Sequence, residues 1–239
     1  MRLAFIGKGG AGKSLVAGTL CRALASQGVR VLALDVDTMP GLAFALGGPW
    51  GEARLLPGRA VREDGKGWQI RRGVRPSTLV DRYAAVAPDG IRFLELGKLP
   101  GRVEPSVSVA FRYVLERFSR QGWTLVADLA AGTRQAMFGW AGPRARVIVV
   151  VDPSSASILT ARRLLPLATE LVANRIRVPA DLQRVQAAVP RPLLAAVPYD
   201  ESLIEAEQRG QAPVDAVPDA PAVRAIADLA SRLREEERT

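Results

Sequence analysis

Residues 7–14 read Gly-Lys-Gly-Gly-Ala-Gly-Lys-Ser, a pattern of glycine, any four residues, glycine, lysine and a hydroxyl residue. A short apolar run, residues 2–6, precedes it, and apolar residues recur at helical spacing over 15–26. Strand, glycine-rich turn and helix in that succession are what such a motif requires, and they commit the chain to an α/β architecture. The glycines let backbone N–H groups close around phosphate oxygens, and the start of the helix adds positive potential there. Gly7, Gly9, Gly10, Ala11 and Gly12 are the expected cradle for ATP or ADP. Lys13 is placed to reach the β- and γ-phosphates, and the Ser14 hydroxyl to ligate Mg²⁺.

Further apolar runs at 31–34, 125–127, 147–151 and 193–197 fit strands buried on both faces of a parallel sheet. Residues 91–96 alternate and predict another strand nearer an edge. Helical patterns lie at 107–120, 155–165, 180–189 and 202–208, and a last helix covers 222–234 before the acidic Glu235-Glu236-Glu237. Strand and helix in alternation predict a doubly wound, mainly parallel sheet, a three-layer α/β/α phosphate-loop domain formed by all 239 residues. The least regular part is 49–90, with Arg54, Arg59, Arg62, Lys66, Arg71, Arg72 and Arg75 beside Trp50 and Trp68. It reads as a basic, loop-rich insertion with short helices, a surface able to touch nucleic acid or a partner protein.

Composition narrows the chemistry. The chain is 48% apolar, ample for a core, yet no run approaches the roughly 18 residues of a membrane span. The first strand meets glycine too early for a signal peptide, so a cytoplasmic location and no membrane partner are expected. The single cysteine, Cys21, rules out an internal disulfide framework and reads as a core residue of the first helix. With no histidine in the chain, histidine metal sites and histidine general bases are excluded. The net charge of +9 favours acidic partners such as nucleic acid, and fits a generally basic surface equally well.

Only four lysines occur in the chain, and two of them, Lys8 and Lys13, lie in the one loop. Lys-Gly-Gly-x-Gly-Lys-Ser resembles the deviant Walker A signature of the CbiA-type ATPases. That family holds MinD, ParA, the nitrogenase iron protein, the arsenite and tail-anchored-protein ATPases, and the nickel-insertion ATPases of carbon monoxide dehydrogenase. The resemblance implies that Lys8 crosses a dimer interface to the partner's nucleotide, so that a homodimer closes around ATP.

The second strand ends in Asp35-Val36-Asp37, at the sheet edge where ligands of such folds bind. Family members carry Asp-x-Asp here, and the resemblance makes Asp37 the group that positions the attacking water and lies near Mg²⁺. Asp35 reads as a structural residue or an outer Mg²⁺ group. A proline commonly follows this Asp in the family. Here Thr38 follows, with Pro40 beyond, so a different backbone course is expected. Asp128, after the strand at 125–127, reads as a Mg²⁺ ligand acting through water, and Gly132 as a backbone donor to the γ-phosphate. Val172-Ala173-Asn174-Arg175 resembles the family's adenine-recognition turn, and Pro198-Tyr199-Asp200 the segment lining the other side of the adenine. Asp152–Ser157 with 160–163 resembles the family's strand-to-helix segment.

Over nearly the whole chain the resemblance is strongest to the nickel-insertion branch, through 7–14, 35–46, Leu96-Gly97-Lys98, 128–132, 152–163 and 197–200. That branch carries Cys-x-Cys-Pro where this chain has Arg102-Val103-Glu104-Pro105, and Glu-His where this chain has Arg134-Gln135. No soft-metal site is therefore expected. The reading that follows is a dimeric, ATP-hydrolysing maturation or assembly switch with an unknown client protein. A ParA- or MinD-like positioning ATPase that binds DNA non-specifically is the alternative, and a nucleotide-gated binding module with little turnover is a second.

Overall fold

Leu3 and Phe5 face one side of the first strand and Ala4 and Ile6 the other, and all four are fully buried. A strand with no wet face needs a layer of helices on each side. The computed structural model has that arrangement, and it describes residues 1–37, 41–48, 60–63, 65, 67–97, 105–142 and 144–238. The order is β1 (Arg2–Gly7), α1 (Lys13–Ser26), β2 (Arg30–Asp35), α2 (Leu42–Leu46), β3 (Val61–Glu63), β4 (Trp68–Ile70), α3 (Pro76–Tyr83) and β5 (Ala85–Val86). After a 3-10 turn at Pro88–Gly90 come β6 (Arg92–Glu95), α4 (Pro105–Arg117), β7 (Trp123–Asp128), α5 (Arg134–Met137), β8 (Arg146–Val151) and α6 (Ser155–Leu164). The last elements are β9 (Glu170–Ile176), α7 (Pro179–Ala188), β10 (Leu193–Pro198), α8 (Glu201–Gln208), α9 (Pro213–Ala216) and α10 (Pro221–Arg238).

The main sheet runs β10-β9-β8-β1-β7-β2-β6-β5. Every neighbouring pair is parallel except the edge pair β5–β6. The doubly wound expectation holds. One core lies between the sheet and α3–α7, with Phe111, Val114, Ala136, Leu164 and Val185. The other lies under α1, α2, α8 and α10, with Leu20, Leu24, Leu46, Ile226 and Leu233. Cys21 is in this second core, fully buried, and burial pushes its thiol up, with the Asp128 charge adding to the effect.

Two segments depart from expectation. Asn174 and Arg175, read as a turn, belong to strand β9, which pairs with β8 and β10. Its polar residues broke the apolar run that marks a buried strand. Within 49–90, the described residues carry an antiparallel β3–β4 ribbon and α3 that pack on α4, in addition to loops. At the acidic end of α10, Glu236 pairs with Arg146 at 2.6 Å and Glu237 with the amino terminus. Among the described residues no helix is long and apolar enough to cross a membrane.

Arg22 ties the elements around α1. Its Nε donates to Asp89 at 2.6 Å, its Nη1 to the Leu46 carbonyl at 2.9 Å, and its Nη2 to Asp215 at 2.7 Å. The guanidinium is 8% exposed and thereby joins the end of α2, α9 and the turn at Asp89. Both carboxylates are partly open to solvent, which discounts the ion pairs. Arg22→Met should cost about 2 kcal/mol and lower the thermal midpoint by about 4–8 °C. Arg22→Lys should recover only part, because an ammonium lacks the fork that serves several acceptors at once. A midpoint for Arg22→Met within about a degree of wild type, in a calorimetric scan, would show that the tie contributes nothing.

Candidate functional site

Three adjacent strands end at one edge. Gly7 closes β1, Asp128 closes β7 and Asp35 closes β2, with Asp35 and Asp128 paired in register. Ligands of open α/β sheets sit beyond such ends. The loop after β1 and the start of α1 lie there, and α1 begins at Lys13 behind Gly12, whose φ of 90° favours glycine.

The loop is braced by β9. Asn174 Nδ2 donates to the Ala11 carbonyl at 2.8 Å, and Arg175 Nη1 to the Gly10 carbonyl at 2.7 Å. These bonds occupy two carbonyls whose negative ends would otherwise oppose an anion. A Cβ on Gly12 would overlap the Asn174 amide, so the loop's close approach to β9 needs glycine there. The Ala11 N–H is turned into the loop, toward the Lys8 carbonyl at 3.2 Å.

Lys13 is 7% exposed, and its stem passes beside Gly7, where a Cβ would lie 3.5 Å from its Cδ. Across from it, Asp128 is 2% exposed. Burial pushes the Asp128 carboxyl up, while the Lys13 charge and a hydrogen bond with Ser14 pull it back. Asp128 Oδ1 is buried with no hydrogen-bond partner among the described residues. An orphaned carboxylate oxygen beside a serine hydroxyl is a hard-oxygen donor set, which fits Mg²⁺. Gly41 approaches from the other side, where a Cβ would stand 3.0 Å from Ser14 Oγ.

Asp35 is spent on backbone. Its Oδ1 accepts from the Asp37 N–H at 3.0 Å and its Oδ2 from the Leu42 N–H at 2.9 Å, while the residue itself is fully buried. Burial and the Asp128 charge push its carboxyl up. Asp35 thus holds the backbone at Asp37 and at Leu42, on either side of 38–40. Asp37 is half-buried and close enough for its charge to raise the Asp128 carboxyl further. Thr38, Pro40, Lys98 and Arg102-Val103-Glu104 lie outside the described residues.

A cavity of about 420 Å³ joins the loop to the C-terminal half. Gly10, Gly12, Lys13 and Ser14 line one end, and Asn174, Arg175, Pro198, Tyr199 and Asp200 the other, so the sequence-predicted segments meet in one place. Asp200 also caps α8, accepting from the Ser202 N–H at 3.1 Å and hydroxyl at 2.6 Å, and its Oδ2 is buried without a partner among the described residues. Arg177 stacks on Tyr199, 4.0 Å from the ring centroid. Sequence reasoning missed the rest of the wall: Gly41, Phe44 and Ala45 around α2, Leu203, Ile204 and Glu207 on α8, and Gln211 and Pro213 beyond it. Phe44, a large apolar side chain on the short helix α2, is left 45% exposed on this wall.

Two expected phosphate groups are engaged elsewhere in this conformation. The Gly132 N–H donates to the Gly7 carbonyl at 3.0 Å, and Lys8 Nζ to the Gly9 carbonyl at 3.0 Å. Lys8 sits at the rim of a second depression of about 720 Å³, lined also by Asp152 and Arg184. That depression shares Gly10, Arg175, Tyr199, Ile204 and Glu207 with the first cavity. Asp152 and Ser154 are used in turning the chain into α6, through bonds to Ser154 and Ser157.

Known proteins share this plan. The chain is 28% identical over 240 residues to the carbon monoxide dehydrogenase accessory protein CooC of Rhodospirillum rubrum, covering 91% of each chain. The cell division ATPase MinD of Pyrococcus furiosus superposes with a TM-score of 0.68 at 20% identity, covering 98% of both chains. The septum site-determining protein MinD of Pyrococcus horikoshii, solved as its Mg-ADP complex, gives 0.67 at 21% identity, covering 97% of this chain and 95% of its own. The model of the CobQ/CobB/MinD/ParA nucleotide-binding domain matches residues 3–214, a span that takes in the loop, both aspartate-bearing strand ends and the far wall of the cavity. By that match and by its fold, the chain belongs to the CobQ/CobB/MinD/ParA nucleotide-binding domain family.

Proposed function

We propose that this chain is a cytoplasmic, single-domain ATPase that closes as a homodimer around ATP and opens on hydrolysis, acting in the maturation or assembly of a client protein. The observation that carries the reading is the meeting of Lys13, Ser14, Asp128 and Asp37 at one sheet edge, with Lys8 at the exposed rim beside them. The loop and the start of α1 bind the phosphates, and Lys13 holds the β- and γ-oxygens. Ser14, Asp128 and Asp37 would hold Mg²⁺, partly through water, and the ion when bound offsets charge on the transferring phosphoryl group. Asp37 orients the attacking water. Asn174, Arg175, Pro198, Tyr199 and Asp200 form the adenine end. The client role is supported by the CooC relative, named an accessory protein. The thiolate pair of that branch has no counterpart in this sequence, so a metal cargo is not part of the proposal.

Lys8 supplies the test. Lys8 is half-buried, and its ammonium rests on its own loop, bonded to the Gly9 carbonyl. A partner's phosphate would be a far stronger acceptor. Lys8→Ala should leave nucleotide binding to each subunit within about threefold of wild type while weakening analogue-induced dimerisation by at least about tenfold. Analytical ultracentrifugation with a non-hydrolysable ATP analogue reads both states. Dimerisation equal to wild type would remove Lys8 from the interface and leave a generic phosphate-loop protein.

Exposed Arg62, Arg71, Arg72, Arg75 and Arg82, together with an exposed Trp68, favour a second reading, a positioning ATPase with non-specific DNA affinity. Retention on DNA that falls steeply with salt would support it over the first.

A further inference from the structure

Gln135 reaches back from α5 and touches both aspartate-bearing segments. Its Oε1 accepts from the Ala130 N–H at 2.9 Å, and its Nε2 donates to the Val36 carbonyl at 3.0 Å. Val36 immediately precedes Asp37. Ala130 lies midway between Asp128 and Gly132. The same segments meet through a backbone bond from the Val36 N–H to the Asp128 carbonyl at 2.9 Å. The amide therefore closes a second tie across a junction already held once.

The chemistry at this position is specific to an amide. One partner is a donor and the other an acceptor, and both are backbone groups. A carboxylate would satisfy Ala130 and place negative charge against the Val36 carbonyl, and an aliphatic side chain would satisfy neither. On the far side, Ala136 is buried in the core, whereas Met137 and Phe138 are 56% and 65% exposed. Gly132, three residues before Gln135, has its N–H committed to the Gly7 carbonyl. A γ-phosphate competing for that N–H would draw the 130–132 segment away from Gly7.

We propose that Gln135 is a positioning residue that makes the segments before Asp37 and after Asp128 move as one unit. Displacement of Gly132 by the terminal phosphate would then reset Asp37 in the same step and shift the Met137–Phe138 surface. The inference rests on the ATPase reading for its kinetic consequence but not for its structural one.

Gln135→Leu and Gln135→Glu test it in the full-length protein. ATP affinity by calorimetry should stay within about threefold of wild type, while turnover falls about tenfold, the rate equivalent of one lost positioning hydrogen bond. Loss in kcat with affinity kept distinguishes positioning from general destabilisation. Hydrogen exchange supplies a readout that needs no hydrolysis. In wild type, a non-hydrolysable ATP analogue should alter exchange in peptides covering both 34–37 and 129–133. In Gln135→Leu the change should persist at 129–133 and be clearly smaller at 34–37, where the Val36–Asp128 backbone bond remains. If wild type shows no turnover, the ATPase reading fails and the exchange experiment alone decides. Coupled exchange in Gln135→Leu equal to wild type would overturn the proposal, as would unchanged kcat in an active enzyme.

Discussion

Lys13→Ala should remove nucleotide binding, with ATP affinity lower by about 3–4 kcal/mol, or roughly two to three decades. Lys13 is 7% exposed, so its ammonium acts where water screens little. Among the described residues no neighbour can replace it. Lys8 is turned onto the Gly9 carbonyl, Arg175 onto the Gly10 carbonyl, and the chain has no histidine. The loss is compounded at Asp128. Burial already pushes that carboxyl up, and the Lys13 charge does most to hold it down. Without the lysine, either a buried negative charge remains beside the phosphate site or the carboxyl takes a proton and ceases to be a metal ligand. Both outcomes oppose ATP·Mg²⁺. Lys13→Arg should rescue poorly, because the stem runs close to Gly7 and a planar guanidinium is wider than an ammonium. Calorimetric titration of Lys13→Ala with ATP·Mg²⁺ reads the effect. Affinity equal to wild type would end the assignment of this loop to phosphate.

The strand, loop and helix start around residues 7–14 were legible in the sequence because the signal is local, with the glycines, the helix start and both lysines lying within eight residues. The strands at the centre of the sheet were legible because burial on both faces writes an unbroken apolar run. β9 was not, since Asn174 and Arg175 serve the loop rather than the core and so carry no periodic signal. Their partners are 163 and 165 residues away in the chain, a separation no spacing rule reaches. α2 has five residues, fewer than two helical turns, and its packing depends on Gly18 of α1, where a Cβ would overlap Ala45. The wall formed by Leu203, Ile204, Glu207 and Gln211 exists only because the C-terminal helices return to pack beside α1. Gln135 stood out in the sequence only as a departure from the family's Glu-His. Its geometry shows an amide joining two backbone groups from segments 99 residues apart on one side and 5 on the other.

Asp37→Ala should slow hydrolysis by about 10²–10³-fold while leaving ATP affinity within about threefold of wild type. The backbone of the site should survive the substitution. Asp35 holds residue 37 through its N–H, which alanine keeps, and holds Leu42 with its other oxygen. Val36 stays bonded to Asp128 and to Gln135. What disappears is a carboxylate near enough to Asp128 to raise its carboxyl. Removing that charge makes Asp128 easier to ionise, so metal-assisted nucleotide binding has no electrostatic reason to fall sharply. Turnover does, because a water approaching the γ-phosphate needs an acceptor to orient it and the chain has no histidine to substitute. Gln135 is a poor substitute, since its amide is fixed on the Ala130 N–H and the Val36 carbonyl and is a weaker acceptor than a carboxylate. The variant should therefore accumulate ATP-bound dimers, visible by light scattering, where wild type cycles. Single-turnover assays separate this from slow product release. Turnover equal to wild type would move the water-positioning role to another residue, and loss of nucleotide binding would instead make Asp37 chiefly a ligand of the bound ATP·Mg²⁺.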